Sequence, residues 1–146
     1  MWTVRAAQTH RVSASLSVFT LYADPAAAVR WLVEALGFVV VNSAVAGDEQ
    51  LLHAELRLGE AVVIVERASE GQAASPVVDR STSRAPVLCL DDAAAVDAAY
   101  ERAVAAGSTT LREPEDTPWG NHRFEVLDPE GHQWSVGSYT PGRPWS

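Results

Sequence analysis

The stretch NHRFEVLDPEGHQWSVGSY, residues 121–139, reads as a strand, a tight acidic turn and a second strand. Asp128, Pro129 and Gly131 are turn formers, each for its own reason: a side-chain acceptor, a fixed φ and a tolerated positive φ. The apolar–polar alternation on either side of them has the period of a half-buried strand. Upstream, APVLCLDD (85–92) is a strand ending in paired aspartates, and AAAVDAAYERAVAAG (93–107) is a helix stopped by Gly107. Its expected apolar face is Val96, Tyr100 and Val104, and STTLREPED (108–116) holds a short strand before the quoted hairpin. The unit is thus β-α-β-β-β.

The same order is present further upstream. SASLSVFTLYAD (13–24) is a strand ending at an N-cap Asp24, and Pro25 opens a helix that runs to Gly37. Its apolar stripe is expected at Val29, Leu32, Val33 and Leu36. Three strands follow in FVVVNSAVAG (38–47), QLLHAELRLG (50–59) and EAVVIVER (60–67). ASEGQAASPVVDRSTSR (68–84) has no sustained period and is expected as a linker or flap. The expected organisation is a leader over 1–13, a first module over 14–67, a linker over 68–83, a second module over 84–140 and a tail over 141–146. Two such halves make an α+β fold: paired β-α-β-β-β modules forming a curved mixed sheet around a concave cavity, with the helices on the outer face.

Composition narrows the function classes. A chain of 146 residues, 47% hydrophobic, is one domain in size and can bury a core without staples. Nineteen acidic against 11 basic side chains, a formal net charge of -8, give no electrostatic footprint for nucleic acid or an anionic membrane. No apolar run approaches the ~18 residues that cross a bilayer, and MWTVRAAQTHR (1–11) lacks the pattern of a signal peptide. Cys89, the only cysteine, excludes an internal disulfide and reads as a small buried hydrophobe, so a reducing cytoplasm is the expected compartment.

In YADPAAAVRWLVEALGF (22–38), LDDAAAVDAAYERAVAAG (90–107) and RFEVLDPEGHQWSVGSY (123–139), taken in this order and spacing, the chain resembles the vicinal oxygen chelate superfamily of glyoxalases, bleomycin-resistance proteins and extradiol dioxygenases. The resemblance implies a homodimer with ligand sites in the cavity of a curved sheet. It also implies four inward positions at which metal-using members carry His, Gln or Glu. Counting seven residues back from Asp24 and Asp92 gives Ser17 and Ala85; counting four on from Gly131 and Gly59 gives Ser135 and Val63. These four cannot assemble a divalent site, which needs imidazole, carboxylate or thiolate lone pairs. No metal and no other cofactor is therefore expected.

Among the aromatic residues, Trp31 and Trp134 read as core, and no role is assigned to Trp2 or Trp145 in the termini. Trp119, in the loop DTPWGN (116–121), either contacts a ligand or plugs the structure. Phe19, on the face of the first strand that carries Ser17, is a second candidate wall or ordinary core. His53 and Glu55 line the cavity if the leucine side of their strand meets the helix, and His122, Arg123 and Glu125 raise the same alternative in the second half. His132 is expected to be exposed, and His10 lies in the leader. The expected ligand-binding set is Trp119, Phe19, Ser17, His53, Glu55, Val63, Arg123 and Ser135, with no catalytic residue. The expected function is metal-independent sequestration of an aromatic antibiotic or other secondary metabolite. The alternative is a lyase, isomerase or dioxygenase-like enzyme of the same superfamily, with His53 or His122 as a base.

Overall fold

The computed structural model describes residues 14–69 and 84–142; Trp2, His10, Trp145 and residues 70–83 of the expected linker lie outside the described residues. The first module comprises β1 (Val18–Tyr22), α1 (Pro25–Trp31) with a π-helical end (Leu32–Leu36), β2 (Val39–Val45), β3 (Leu51–Leu58) and β4 (Ala61–Arg67). The second comprises β5 (Val87–Cys89), α2 (Ala93–Ala105), β6 (Thr109–Asp116), β7 (His122–Leu127) and β8 (Gln133–Gly137). Each module forms its own four-stranded mixed sheet, ordered β1-β4-β3-β2 and β5-β8-β7-β6. The repeat legible in the sequence is therefore a repeat of topology, with one parallel pair at β1–β4 and one at β5–β8.

Both helices start as their sequences dictate. Asp24 and Asp92 accept the backbone N–H groups of Ala27 and Ala95 at 3.1 and 2.8 Å, and Pro25 occupies the first turn. Gly37 ends the first helix with φ of 82°, a left-handed conformation that any side chain would strain. The buried stripes differ from the expected ones. In the first helix Ala28, Trp31, Leu32, Ala35 and Leu36 are buried while Val33 is exposed, because the buried set keeps the i, i+3, i+4, i+7, i+8 spacing of one helical face and Val33 falls outside it. In α2 the buried side is Val96, Ala99 and Ala103, with Tyr100 at its margin and Val104 exposed; small alanines let the helix lie close to the sheet.

Beneath the helices the sheets contribute Ala54, Leu56, Val63 and Val65 from one module and Phe124, Val126, Trp134 and Val136 from the other. All belong to one continuous core. The helix-covered sides of the two modules meet: the Trp31 and Trp134 rings approach to 5.7 Å, Phe38 and Trp134 to 6.5 Å, and Trp31 Nε1 donates to Ser108 Oγ at 2.6 Å. Burial of each such large apolar side chain contributes roughly 1.5–3 kcal/mol, and that is what holds two small modules as one body.

The turn over Asp128–Gly131 is the second tie. The buried Asp128 carboxylate accepts from Tyr22 Oη at 2.6 Å and Trp134 Nε1 at 3.2 Å, and from the backbone N–H groups of Glu130 and His132. Glu130 accepts the N–H groups of Ala23 and Asp24, both at 2.8 Å. His132 is not exposed as expected. It packs edge-on against Tyr22 at 4.8 Å, with Nε2 3.2 Å from the Leu21 carbonyl oxygen. Cys89 is half-buried, and its thiol donates to the Tyr139 carbonyl at 3.1 Å; burial pushes its pKa up.

Candidate functional site

Each sheet has a helix-free face, and alternation decides which side chains reach it. In β3, Ala54 and Leu56 point to the helix, so His53, Glu55 and Arg57 point away from it. On this face His53 lies between two carboxylates, with Nε2 3.3 Å from Glu55 and Nδ1 3.5 Å from Glu66. Asn42 Nδ2 donates to Glu55 at 2.7 Å; that bond, then His53, holds the Glu55 carboxyl below its usual range. Phe19, opposite Ile64 in the parallel β1–β4 pair, shares this face and is 62% exposed. Ser17, just before β1, is exposed.

Val63 does not belong there. It is 4% exposed and packs in the core on the helix side, opposite Leu56. Counting from the glycine transfers poorly between modules because the connections differ. Leu58 and Ala61 are paired across a two-residue turn, Gly59–Glu60, whereas Leu127 and Gln133 are paired across the longer connection that contains Asp128–Gly131. The residue of β4 that matches Ser135 in register is Ile64, one place further on.

On the second sheet Ser135 is half-buried, paired with Glu125 on one side and with Val87 on the other. Arg112 lies opposite Glu125 and bridges it to Glu115, with contacts of 3.5 and 2.9 Å; Glu115 first, then Glu125, raises the Arg112 pKa. Arg123 reaches Glu115 at 3.5 Å, and its guanidinium carbon lies 5.4 Å from the centre of the Trp119 ring. The Arg123 Nε–H is buried without a hydrogen-bond partner, and the cation–π contact offsets part of that cost.

Trp119 is 52% exposed at the tip of the β6–β7 loop. The loop beneath it is well tied. Thr117 N–H donates to the Asn121 carbonyl at 2.8 Å, Asn121 N–H to Thr117 Oγ1 at 3.0 Å, and Gly120 N–H to the Thr117 carbonyl at 3.1 Å. Asn121 Oδ1 accepts the N–H groups of Ser138 and Tyr139, each at 3.1 Å, so the loop is fastened to the end of β8. A large ring is thus held in solvent on a fixed support.

His122 is on the opposite side of β7 from Arg123 and belongs to another cluster: its Nε2 is 2.6 Å from Asp97 of α2 and its Nδ1 2.8 Å from Asp116 at the end of β6. Asp116 and His122 are cross-strand partners, a pairing the hairpin pattern allows one to read; Asp97, 25 residues away, could not be read from local pattern.

The expected site residues therefore form two groups. Arg123 and Trp119 are in contact on the second sheet, on the face that also carries Ser135; His53, Glu55 and Phe19 share the free face of the first. Within one chain the two groups belong to separate sheets. A shallow cleft of about 360 Å³, lined by Asp24, Pro25 and Glu49 among others, includes none of them.

At the centre of the free faces the register lines up Phe19 with Ile64 and Val87 with Ser135, with Ser17 and Ala85 exposed just before the two first strands. The hydroxyls of Ser17 and Ser135 among hydrocarbon side chains do not fit a divalent metal. The cross-strand carboxylates, Glu55 opposite Ile64 and Glu125 opposite Ser135, are already engaged, the first with Asn42 and His53 and the second with Arg112.

This fold, with its tandem modules, is that of the Glyoxalase/Bleomycin resistance protein/Dioxygenase superfamily, whose model matches residues 16–136; the chain belongs to that superfamily. Uncharacterised proteins of Mycobacterium bovis and Mycobacterium tuberculosis are 32% identical over 127 residues, 86% of this chain and 84% and 75% of theirs. The crystal structure of TioX from Micromonospora sp. ML1 is similar at 30% identity and a TM-score of 0.70, covering 88% of this chain and all of that one. A fosfomycin resistance protein, FosX from Listeria monocytogenes, complexed with Mn(II) and 1S,2S-dihydroxypropylphosphonic acid, shares the fold at 12% identity and a TM-score of 0.66, covering 89% of this chain and 93% of that one.

Proposed function

We propose that this protein is a metal-independent binder of an aromatic small molecule, an antibiotic or other secondary metabolite, and that it protects the cell by sequestration in the cytoplasm. The observation that carries this reading is Trp119, a half-exposed indole on a tied loop beside the Arg123 guanidinium. A ring so presented offers a face for stacking at low cost in entropy, with about 0.5–1.5 kcal/mol per aromatic pair beyond area burial. Phe19 offers a second ring, and the hydrocarbon side chains of Ile64 and Val87 replace the donors that Lewis-acid chemistry would need.

The pocket is proposed to close in a homodimer, with the free face of the first sheet of one copy beside the free face of the second sheet of its partner. Exposed Phe19, Val87, Leu111 and Trp119 support this, since an apolar array left in water by one chain marks a surface that a second one covers. Ser17, Ser135, His53, Glu55 and Arg123 then supply polar contacts around the guest; Val63 acts only through the core.

The test is a fluorescence-quenching screen against planar aromatic antibiotics, with mass spectrometry of each hit before and after incubation. Trp119→Ala is expected to weaken binding about tenfold or more, ~1.4 kcal/mol, with the circular dichroism spectrum unchanged. Unaltered affinity would remove Trp119 from the site, and a hit recovered with altered mass would replace sequestration by catalysis.

A further inference from the structure

His122 stands between two carboxylates that come from different elements, and the arrangement has only one protonation state that satisfies it. A neutral imidazole has one N–H and one lone pair. Here both ring nitrogens are within hydrogen-bond distance of an aspartate oxygen, Nε2 at 2.6 Å from Asp97 and Nδ1 at 2.8 Å from Asp116. Ionised carboxylates only accept, so both contacts require the imidazolium. If the proton leaves, one nitrogen turns a lone pair toward a carboxylate and that contact must open.

The position of the two partners gives this a structural effect. Asp116 is the last residue of β6 and His122 the first of β7, so their contact closes the neck of the loop that carries Trp119; Asp97 ties that neck to α2. From the end of β8 the His122 backbone N–H meets Ser138 Oγ, an uncharged group. The adjacent charged residue, Arg123, points to the other face of the sheet. The charges facing the ring are thus Asp97 from the helix and Asp116 from β6. Asp116, 87% exposed against 55% for Asp97, is the freer of the two to swing away.

We propose that His122 is a positioning residue for the Trp119 loop: its imidazolium, shared between Asp97 and Asp116, holds the neck closed, and the loop loosens as that proton is lost. Asp97 first, then Asp116, raises the His122 pKa above its ordinary 6.5. The sign follows from linkage. A group whose folded pKa is raised stabilises the closed form fully below its unfolded value, and that contribution is lost as pH rises through the folded value. Ligand affinity should then decline with rising pH, a consequence that rests on the reading of Trp119 as a ligand contact.

The test needs no ligand. Nuclear magnetic resonance would follow the His122 ring and the Trp119 indole N–H of the unliganded protein from pH 5.5 to 9.5, the latter assigned by its loss in Trp119→Phe. The expected result is a His122 midpoint above the ordinary value, a Trp119 signal that moves with the same midpoint, and a joint downward shift of both in Asp97→Asn. His122→Gln should abolish the pH dependence of the Trp119 signal, and Asp116→Asn serves in place of Asp97→Asn should that variant not fold. A Trp119 signal that stays flat while His122 titrates, or midpoints unmoved by the aspartate substitution, overturns the proposal. Failure of Trp119→Ala to weaken binding would instead remove the ligand contact and leave this coupling in place.

Discussion

Asp128 accepts four hydrogen bonds from a position only 5% exposed, and two of its donors, Tyr22 and Trp134, are themselves buried. Removing the carboxylate strands a phenol and an indole N–H in the core, at about 1–3 kcal/mol for each unsatisfied group. Asp128→Ala is expected to destabilise the protein by ~3 kcal/mol or more in urea unfolding; Asp128→Asn, which keeps the shape but puts an amide among donors, should recover only part of this. Tyr22 is held neutral by burial first and by Asp128 second, both of which push its pKa up, so its absorbance should stay that of the neutral phenol as the pH is raised. The chemistry of an Asp-Pro-acid-Gly turn is legible in the sequence as a turn. Its second task, receiving a phenol from 106 residues away, is not, because no local pattern encodes a distant donor.

At the scale of elements, the punctuation was readable and the phase was not. Asp24, Pro25, Gly37 and Asp92 mark helix ends by local hydrogen bonding and backbone freedom, and they act as such. The inward side of each helix is the stripe that meets the sheet, Ala28, Trp31, Leu32, Ala35 and Leu36 in the first and Val96, Ala99 and Ala103 in α2, and alanines serve there as well as larger residues, which is why Val33 and Val104 face water. Val63 missed the free face because of a short turn at Gly59 where the other module has a longer one. Pro114 in β6, an edge strand, coincides with an interruption of register between Arg112 and Glu115, where a missing N–H does least harm. The close fit of β8 under the Trp119 loop makes an element-scale prediction. A Cβ at Gly137 would stand 2.5 Å from Asn121 Oδ1, the atom that receives two backbone donors. Gly137→Ala should therefore shift the loop, costing ~1–2 kcal/mol and changing the Trp119 indole resonance while leaving the far sheet unaffected.

For the whole molecule, the decisive arrangement is that two modules, each with its own four-stranded sheet, share one core. The duplication was legible because order and spacing repeat. The partition of the site was not, because the pairing of modules depends on tertiary contacts such as Trp31 with Trp134. If the free faces are covered by a second copy, Phe19→Asp, which puts a charge into that cover, is expected to convert a dimer into a monomer at micromolar concentration in sedimentation velocity, with the helical signal retained. A variant that remains dimeric would place the contact between copies elsewhere. Among the described residues no helix is long and apolar enough to cross a membrane.

The tie between the Asp128–Gly131 turn and the β1–α1 junction also bears on the order of events in folding. Tyr22, Ala23 and Asp24 find their partners 106 and 107 residues later, and Leu21 meets His132 111 residues on. Contacts of such sequence separation form late and slow the overall rate. On the ribosome, the first module would emerge with the Tyr22 hydroxyl and two backbone donors at the start of α1 unmatched, and would stay so until β7 and its turn had left the exit tunnel. A nascent chain stopped before Asp128 should thus remain open to proteases and chaperones, whereas one extended past Trp134 can complete the junction at once.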